Sequence, residues 1–275
     1  MDSQRPRMND MSRRRPMAAL PGLLVLTGAV LALLGAPARA ADAPPAGTRT
    51  LYLIRHGVYD EDDVRDAEVG KALTLQGREQ ARLTGARLAQ LPTPIDILYA
   101  STMTRARQTA EIIGEALGGW QPGLSSDIKE CTPPTVREDI MARERPGAPD
   151  SCRQILDGAW ARFFRPTAGR DSTVALVCHG NVIRYFVARA LGLDPTLWLN
   201  MTIANCSLTV VQVRPDGRTR LVSFSDAGHL PPALQTFPRP SSGPGARPDS
   251  TAKPVSPPGK PFRGSFQHPD ANPSK

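Results

Sequence analysis

The stretch "LYLIRHGVYD", residues 51–60, runs four apolar residues directly into Arg55, His56 and Gly57. A short, unbroken apolar run is the pattern of a strand covered on both faces. The change to a cation, an imidazole and a residue without a side chain then falls at the strand's carboxyl end, where parallel α/β sheets present their chemistry.

The same arrangement recurs downstream. "TVALVCHG" (173–180) is a second near-continuous apolar run, and it ends in His179-Gly180. Between the two lies "IDILYAS" (95–101), a strand leading through "TMT" to Arg105 at a helix start. Amphipathic helices separate these strands. "TLQGREQARLTGARLAQL" (74–91) is capped by Thr74, with Ala81, Gly85 and Leu88 on one stripe; "TRARQTAEIIGEALG" (104–118) puts Ala106, Ala110, Ile113 and Leu117 in helical step before Gly118. "SSDIKE" (125–130) reads as a short strand ending at Glu130, and "CTPPTVREDIMARERPGAPD" (131–150), which has no clean period, as at most an ordered insert or lid. "CRQILDGAWARFF" (152–164) reads as a helix with Ile155, Ala159 and Phe163 on one face, and "NVIRYFVARALG" (181–192) as the next helix. "SLTVVQV" and "RTRLVSF" flank Pro215-Asp216-Gly217, a hairpin signal. Alternating strands and helices closed by a hairpin predict an α/β three-layer sandwich with a largely parallel central sheet.

Three strand ends thus deliver Arg55, His56, Arg105 and His179 to one edge. Two of the four histidines stand in matched positions before glycine, whereas His229 and His268 have no such context and read as structural. Forked guanidinium donors suit phosphoryl oxygens, and the helix starts beside Arg105 and Asn181 add backbone donors. Among cations an imidazole stays neutral, hence nucleophilic. Glu130 is the candidate acid, with Glu138 in the insert as its rival; Glu111 and Glu115 lie within a helix. No Walker loop, G-x-G-x-x-G turn or G-x-S-x-G elbow is present, so nucleotide and serine-hydrolase readings find no anchor.

The ordered set "LIRHG", "LTLQGREQARLTG", "STMTRARQTA" and "ALVCHGNVIR" resembles branch 1 of the histidine phosphatase superfamily, the phosphoglycerate-mutase-like fold, over roughly residues 50–232. Within it, "STMTRA", "CHGNVIRYFVARAL" and "RPDGRTRLVSFSDAGHLPP" are most similar to the mitochondrial serine/threonine protein phosphatases of this fold. The resemblance implies a phosphomonoester hydrolase. His56 would form phosphohistidine, Arg55, Arg105 and His179 would hold the phosphoryl oxygens with help from Gly57 and Asn181, and Glu130 would protonate the leaving group. No metal or other cofactor is called for, because the arginines supply the charge stabilisation. A pocket of cations favours ionised Glu130, so bound phosphate is expected to arm it as an acid. Mutase activity is disfavoured by Val58, Tyr59 and Asp60, which replace the mutases' residues after the Arg-His-Gly triplet. The substrate is left between a phosphoprotein and a small phosphoester. A polyanion such as phytate is disfavoured by the acidic loop after Gly57. The alternative class is a silent phosphate-binding scaffold. A dimer is one open possibility, and the tryptophan- and aspartate-rich multimerisation motif of the eukaryotic members is not found before Leu51.

The ends of the 275-residue chain carry its charge. Residues 1–40 hold six Arg against Asp2 and Asp10, and residues 238–275 hold six Lys or Arg against Asp249 and Asp270, so each end contributes +4 of the net +8. The segment between is neutral, which removes the footprint of a nucleic-acid binder. Residues 1–40 have a basic start, an apolar run and an Ala38-Arg39-Ala40 site, the layout of an export signal to the periplasm. The alternative is an uncleaved membrane anchor, since the uncharged run reaches the ~20 residues a bilayer needs. Residues 41–232 then form one phosphatase domain, and 233–275 a disordered tail: from Pro231 onward there are 12 prolines. The four cysteines show no C-x-x-C spacing. In an exported protein Cys131 and Cys152 could form a disulfide, a pairing the sequence leaves open, and Cys178 reads as a small core residue.

Overall fold

The computed structural model describes residues 46–238. Residues 1–45 and 239–275, which include the expected export signal and most of the expected tail, lie outside the described residues.

Six strands form the main sheet: β2 (Arg49–Arg55), β3 (Ile97–Ser101), β4 (Gly123–Ser125), β6 (Ser172–Cys178), β7 (Leu208–Val213) and β8 (Thr219–Asp226). Their order is β4-β3-β6-β2-β7-β8. The first four are mutually parallel, while β7 pairs antiparallel with β2 and β8 antiparallel with β7. Two short strands, β1 (Ala46–Gly47) and β5 (Thr167–Ala168), pair separately.

Side-chain alternation along the buried strands builds two cores. Ile54 of β2, Leu98 and Ala100 of β3 and Val177 of β6 pack on one face, against Leu88 of α1 (Leu75–Ala89) and Ala106, Ala110 and Ile113 of α2 (Thr104–Ala116). Leu51, Leu53 and Leu176 point the other way. They meet Leu156, Ala159 and Phe163 of α4 (Ala148–Phe163) and Val182, Ile183 and Phe186 of α5 (Gly180–Ala190). Helices on both faces of a largely parallel sheet make the expected three-layer sandwich. Thr74 caps α1, its hydroxyl accepting from the Gly77 amide at 3.1 Å.

Three local expectations change and one holds. "SSDIKE" is not a strand up to Glu130: β4 stops at Ser125 and a 3₁₀ turn spans Ser126–Ile128, where Ser126 and Asp127 favour turning. The insert 131–150 is ordered, with a short helix α3 (Glu138–Met141). The Trp198 indole N–H donates to the Pro133 and Pro134 carbonyls, and a Cys131–Cys152 disulfide ties the insert to α4. Helix α4 starts at Ala148, earlier than its apolar period suggests, and Ile155 is 49% exposed while Cys152 and Leu156 face the core. Ordered chain also runs past residue 232. The Gln80 amide donates to the Leu234 carbonyl and the Thr236 hydroxyl, and the Asn205 N–H to the Thr236 carbonyl.

Candidate active site

The carboxyl ends of β2, β3 and β6 open into a cavity of about 240 Å³ lined by Arg55, His56, Tyr59, Arg105, Glu130, Asn181 and Arg184 among others. A larger open cleft of about 670 Å³ lies at the amino ends of β2 and β6, beside Thr50, Tyr52 and Thr173. It has no histidine or cysteine, so the smaller cavity carries the chemistry.

β2 delivers Arg55 and His56 by an unbroken ladder. His56 continues it, its N–H donating to the Cys178 carbonyl at 3.0 Å, and Asn205 Nδ2 donates to the His56 carbonyl at 2.9 Å. The imidazole is 3% exposed. Its Nδ1 lies 2.8 Å from the Gly57 carbonyl, which can only accept, and Arg105 Nε, which can only donate, lies 3.1 Å from Nε2. The ring therefore carries its proton on Nδ1 and a lone pair on Nε2. Burial, reinforced by His179, Arg55 and Arg105, holds its pKa well below the usual histidine value, so the ring is neutral. The tilted ring of His179 stands 5.1 Å away.

His179 precedes α5 and is fully buried, with Nε2 2.8 Å from the Ser101 hydroxyl and Nδ1 3.6 Å from Glu130 Oε2. Burial first, then Arg105 and Arg55, keeps it neutral as well. Arg105 lies in the first turn of α2, 6% exposed, its guanidinium 4.8 Å over the Tyr59 ring. Arg55 Nη1 donates to the Ile203 carbonyl at 2.8 Å. Around the cavity, Arg55 Nε, Arg105 Nη1 and His179 Nδ1 are buried without a partner among the described residues. Unpaired buried donors are costly, about 1–3 kcal/mol each. Several at one place call for a group rich in acceptor oxygens, which a phosphoryl group is.

Glu130 follows the 3₁₀ turn, its side chain 25% exposed. Arg105, Arg55 and Arg184 and the Asn181 amide all favour its ionised form, but burial outweighs them and raises its pKa. Burial by the protein's own residues thus already acts in the direction for which the sequence called on bound phosphate. Glu138 is exposed, on α3, and does not line the cavity.

Two expected contacts differ. The Asn181 N–H is taken by Glu130 Oε1 at 3.2 Å, its Nδ2 donates to the Cys131 carbonyl, and its Oδ1 accepts from Arg184, so Asn181 braces Glu130 and its backbone amide is already engaged. Gly57 turns its N–H to the Thr109 hydroxyl. A Cβ there would meet the Gly77 carbonyl at 2.6 Å, so glycine is required for contact with α1, not for substrate approach. Tyr59, Ser101 and Arg184 were not singled out by the sequence for the site. Arg184 had a readable signal, lying four residues after Gly180 on the same helix face. Its pKa falls to about 10, chiefly by burial.

The sequence signature of the histidine phosphatase superfamily (branch 1) matches residues 51–155 and 157–227. The chain is 41% identical over 195 residues to "Serine/threonine-protein phosphatase Pgam5, mitochondrial" of Caenorhabditis elegans, covering 69% of this chain and 67% of that one. It is 37% identical over 199 residues to the protein of the same name from Xenopus tropicalis, covering 68% of each. Among solved structures, the alpha-ribazole phosphatase of Shigella flexneri superposes with a TM-score of 0.51 at 16% identity, over 64% of this chain and 96% of that one. A mycobacterial glucosyl-3-phosphoglycerate phosphatase reaches 0.50 at 20%, over 66% and 100%. These two likenesses speak to the fold.

The mitochondrial names of the relatives overturn the expectation of periplasmic export. An Arg-rich, acid-poor leader is common to export signals and organelle-targeting segments, so composition did not separate them. Among the described residues no helix is long and apolar enough to cross a membrane. With its signature matched across the folded segment and both histidines at the strand ends of the shared fold, the chain belongs to branch 1 of the histidine phosphatase superfamily and is a phosphatase.

Proposed function

We propose that the protein hydrolyses phosphoserine and phosphothreonine side chains of proteins, with His56 as nucleophile and Glu130 as acid and base. The neutral His56, its Nδ1–H held by the Gly57 carbonyl and its Nε2 lone pair beside Arg105, carries this reading. A cavity of about 240 Å³ suits a phosphorylated side chain, and the relatives are named serine/threonine-protein phosphatases.

In the first step His56 Nε2 attacks phosphorus, the bond from phosphorus to the seryl or threonyl oxygen breaks, and that oxygen takes the Glu130 proton. Arg55, Arg105 and His179 hold the three phosphoryl oxygens as charge shifts among them. In the second step the Glu130 carboxylate removes a proton from water as the water oxygen attacks phosphohistidine. The P–N bond breaks, inorganic phosphate leaves, and the starting proton inventory is restored.

The test is turnover of para-nitrophenyl phosphate in EDTA by the native protein and His56→Ala, with mass-spectrometric detection of phosphohistidine after rapid quench. EDTA-resistant turnover and a label on His56, both lost in the variant, support the mechanism. Their absence leaves a phosphate-binding scaffold. A panel of phosphopeptides and sugar phosphates then decides the substrate class, and faster turnover of the sugar phosphates would reverse the assignment.

A further inference from the structure

Ser101 ends β3 on the far side of His179 from the cavity and is fully buried. Its hydroxyl has two neighbours. The Met103 N–H donates to Oγ at 3.3 Å, and His179 Nε2 lies 2.8 Å away. A hydroxyl carries one proton and two lone pairs. With one lone pair on Met103, and no carbonyl or carboxylate against Oγ among the described residues, the hydroxyl proton has one acceptor, His179 Nε2. A neutral imidazole that accepts at Nε2 must carry its own proton on Nδ1. That nitrogen is the buried one without a partner, on the side of Glu130.

We propose that Ser101 is a positioning residue that sets the tautomer of His179, placing the ring proton on Nδ1 as a donor to a phosphoryl oxygen. Without it the opposite tautomer would turn a lone pair toward a group that is itself rich in lone pairs, and the resulting repulsion grows as phosphoryl charge develops. This rests on the proposed role of His179 in holding phosphate. It also accounts for a buried serine in a strand otherwise lined by Leu98 and Ala100.

The experiment reads the tautomer directly. In protein labelled with nitrogen-15 histidine, two-bond correlations of the His179 ring, assigned by comparison with His179→Gln, are expected to show protonated Nδ1 and unprotonated Nε2. A wild-type spectrum with Nε2 protonated overturns the proposal. Ser101→Ala should lower kcat on para-nitrophenyl phosphate by about 10- to 100-fold, as loss of an orienting partner behind a functional histidine does. KM should change less, and the His179 signals should shift toward the Nε2-protonated form. Ser101→Thr, which keeps the hydroxyl, should recover most of the loss. A Ser101→Ala protein with native kcat and an unchanged His179 tautomer refutes the role. If His179→Gln itself keeps full activity, the assignment of His179 fails instead, and the two failures are distinct.

Discussion

Arg105 Nε donates to His56 Nε2 at 3.1 Å, so the lone pair proposed to attack phosphorus is already engaged by a cation proposed to hold its oxygens. A lysine at 105 would supply one point charge where the fork now meets both the imidazole and the cavity. Arg105→Lys is therefore expected to lower kcat/KM on para-nitrophenyl phosphate by about 100- to 1,000-fold, the usual cost of losing an aligned transition-state donor. The melting temperature should barely change. Activity within a few-fold of native would show that the charge suffices.

The pH profile follows from two opposed shifts. His56 is held below its usual value, so activity should persist well below pH 6.5 and fail only as pH drops through the lowered pKa and the nucleophile protonates. Glu130 is raised, so the basic limb appears as pH rises through its pKa and the acid is lost. Steady-state kcat/KM across pH with an alkyl phosphate reads both limbs. An acid limb centred near the usual histidine value would contradict the assignment.

Stability has its own sign. His56 and His179 fold neutral, with pKa values below those of the unfolded chain. The stability they lend is full above about pH 6.5 and declines below it, as the unfolded chain takes up protons the fold refuses. Each should contribute a slope of up to about 1.4 kcal/mol per pH unit in that window. Denaturant melts at about pH 7.5 and 5.5 check this, and the double variant His56→Gln/His179→Gln should flatten the slope.

Glu130 is separable from Glu138 by leaving group. Glu130→Gln should depress turnover of phosphoserine peptides far more than the first phosphoryl transfer from para-nitrophenyl phosphate, whose phenolate leaves without a proton. Glu138→Gln, exposed on α3, should match the native protein on both.

Gly77 of α1 faces the Val58 carbonyl so closely that a Cβ would stand 1.9 Å from its oxygen. Gly77→Ala must displace either the helix or the loop that follows His56. A destabilisation at the upper end of ~1–3 kcal/mol is expected, with a fall in kcat beyond what Tm explains.

Much of this molecule was legible along the chain. The apolar runs at 51–54 and 173–178 announced doubly covered strands because period and burial are local properties of the sequence. Arg55, His56, Arg105 and His179 could be grouped because each stands at the end of such a strand or the start of the following helix. Thr74 capped its helix as read, since a cap needs only the next three residues.

What lay beyond the sequence depends on contacts between distant segments. Whether Glu130 gains or loses its proton is a competition between burial and three arginines, and neither side has a magnitude until the cavity has walls. The partner of the Asn181 amide, the glycine-on-glycine approach of Gly57 and Gly77, and the Ser101 hydroxyl behind His179 join residues from different elements. Periodicity and propensity determined the strands, the helices and the identity of the reactive groups. Only tertiary packing decided their protonation, their tautomers and which donors remained turned to the cavity, because those quantities are set by distances and dielectric surroundings that no single segment contains.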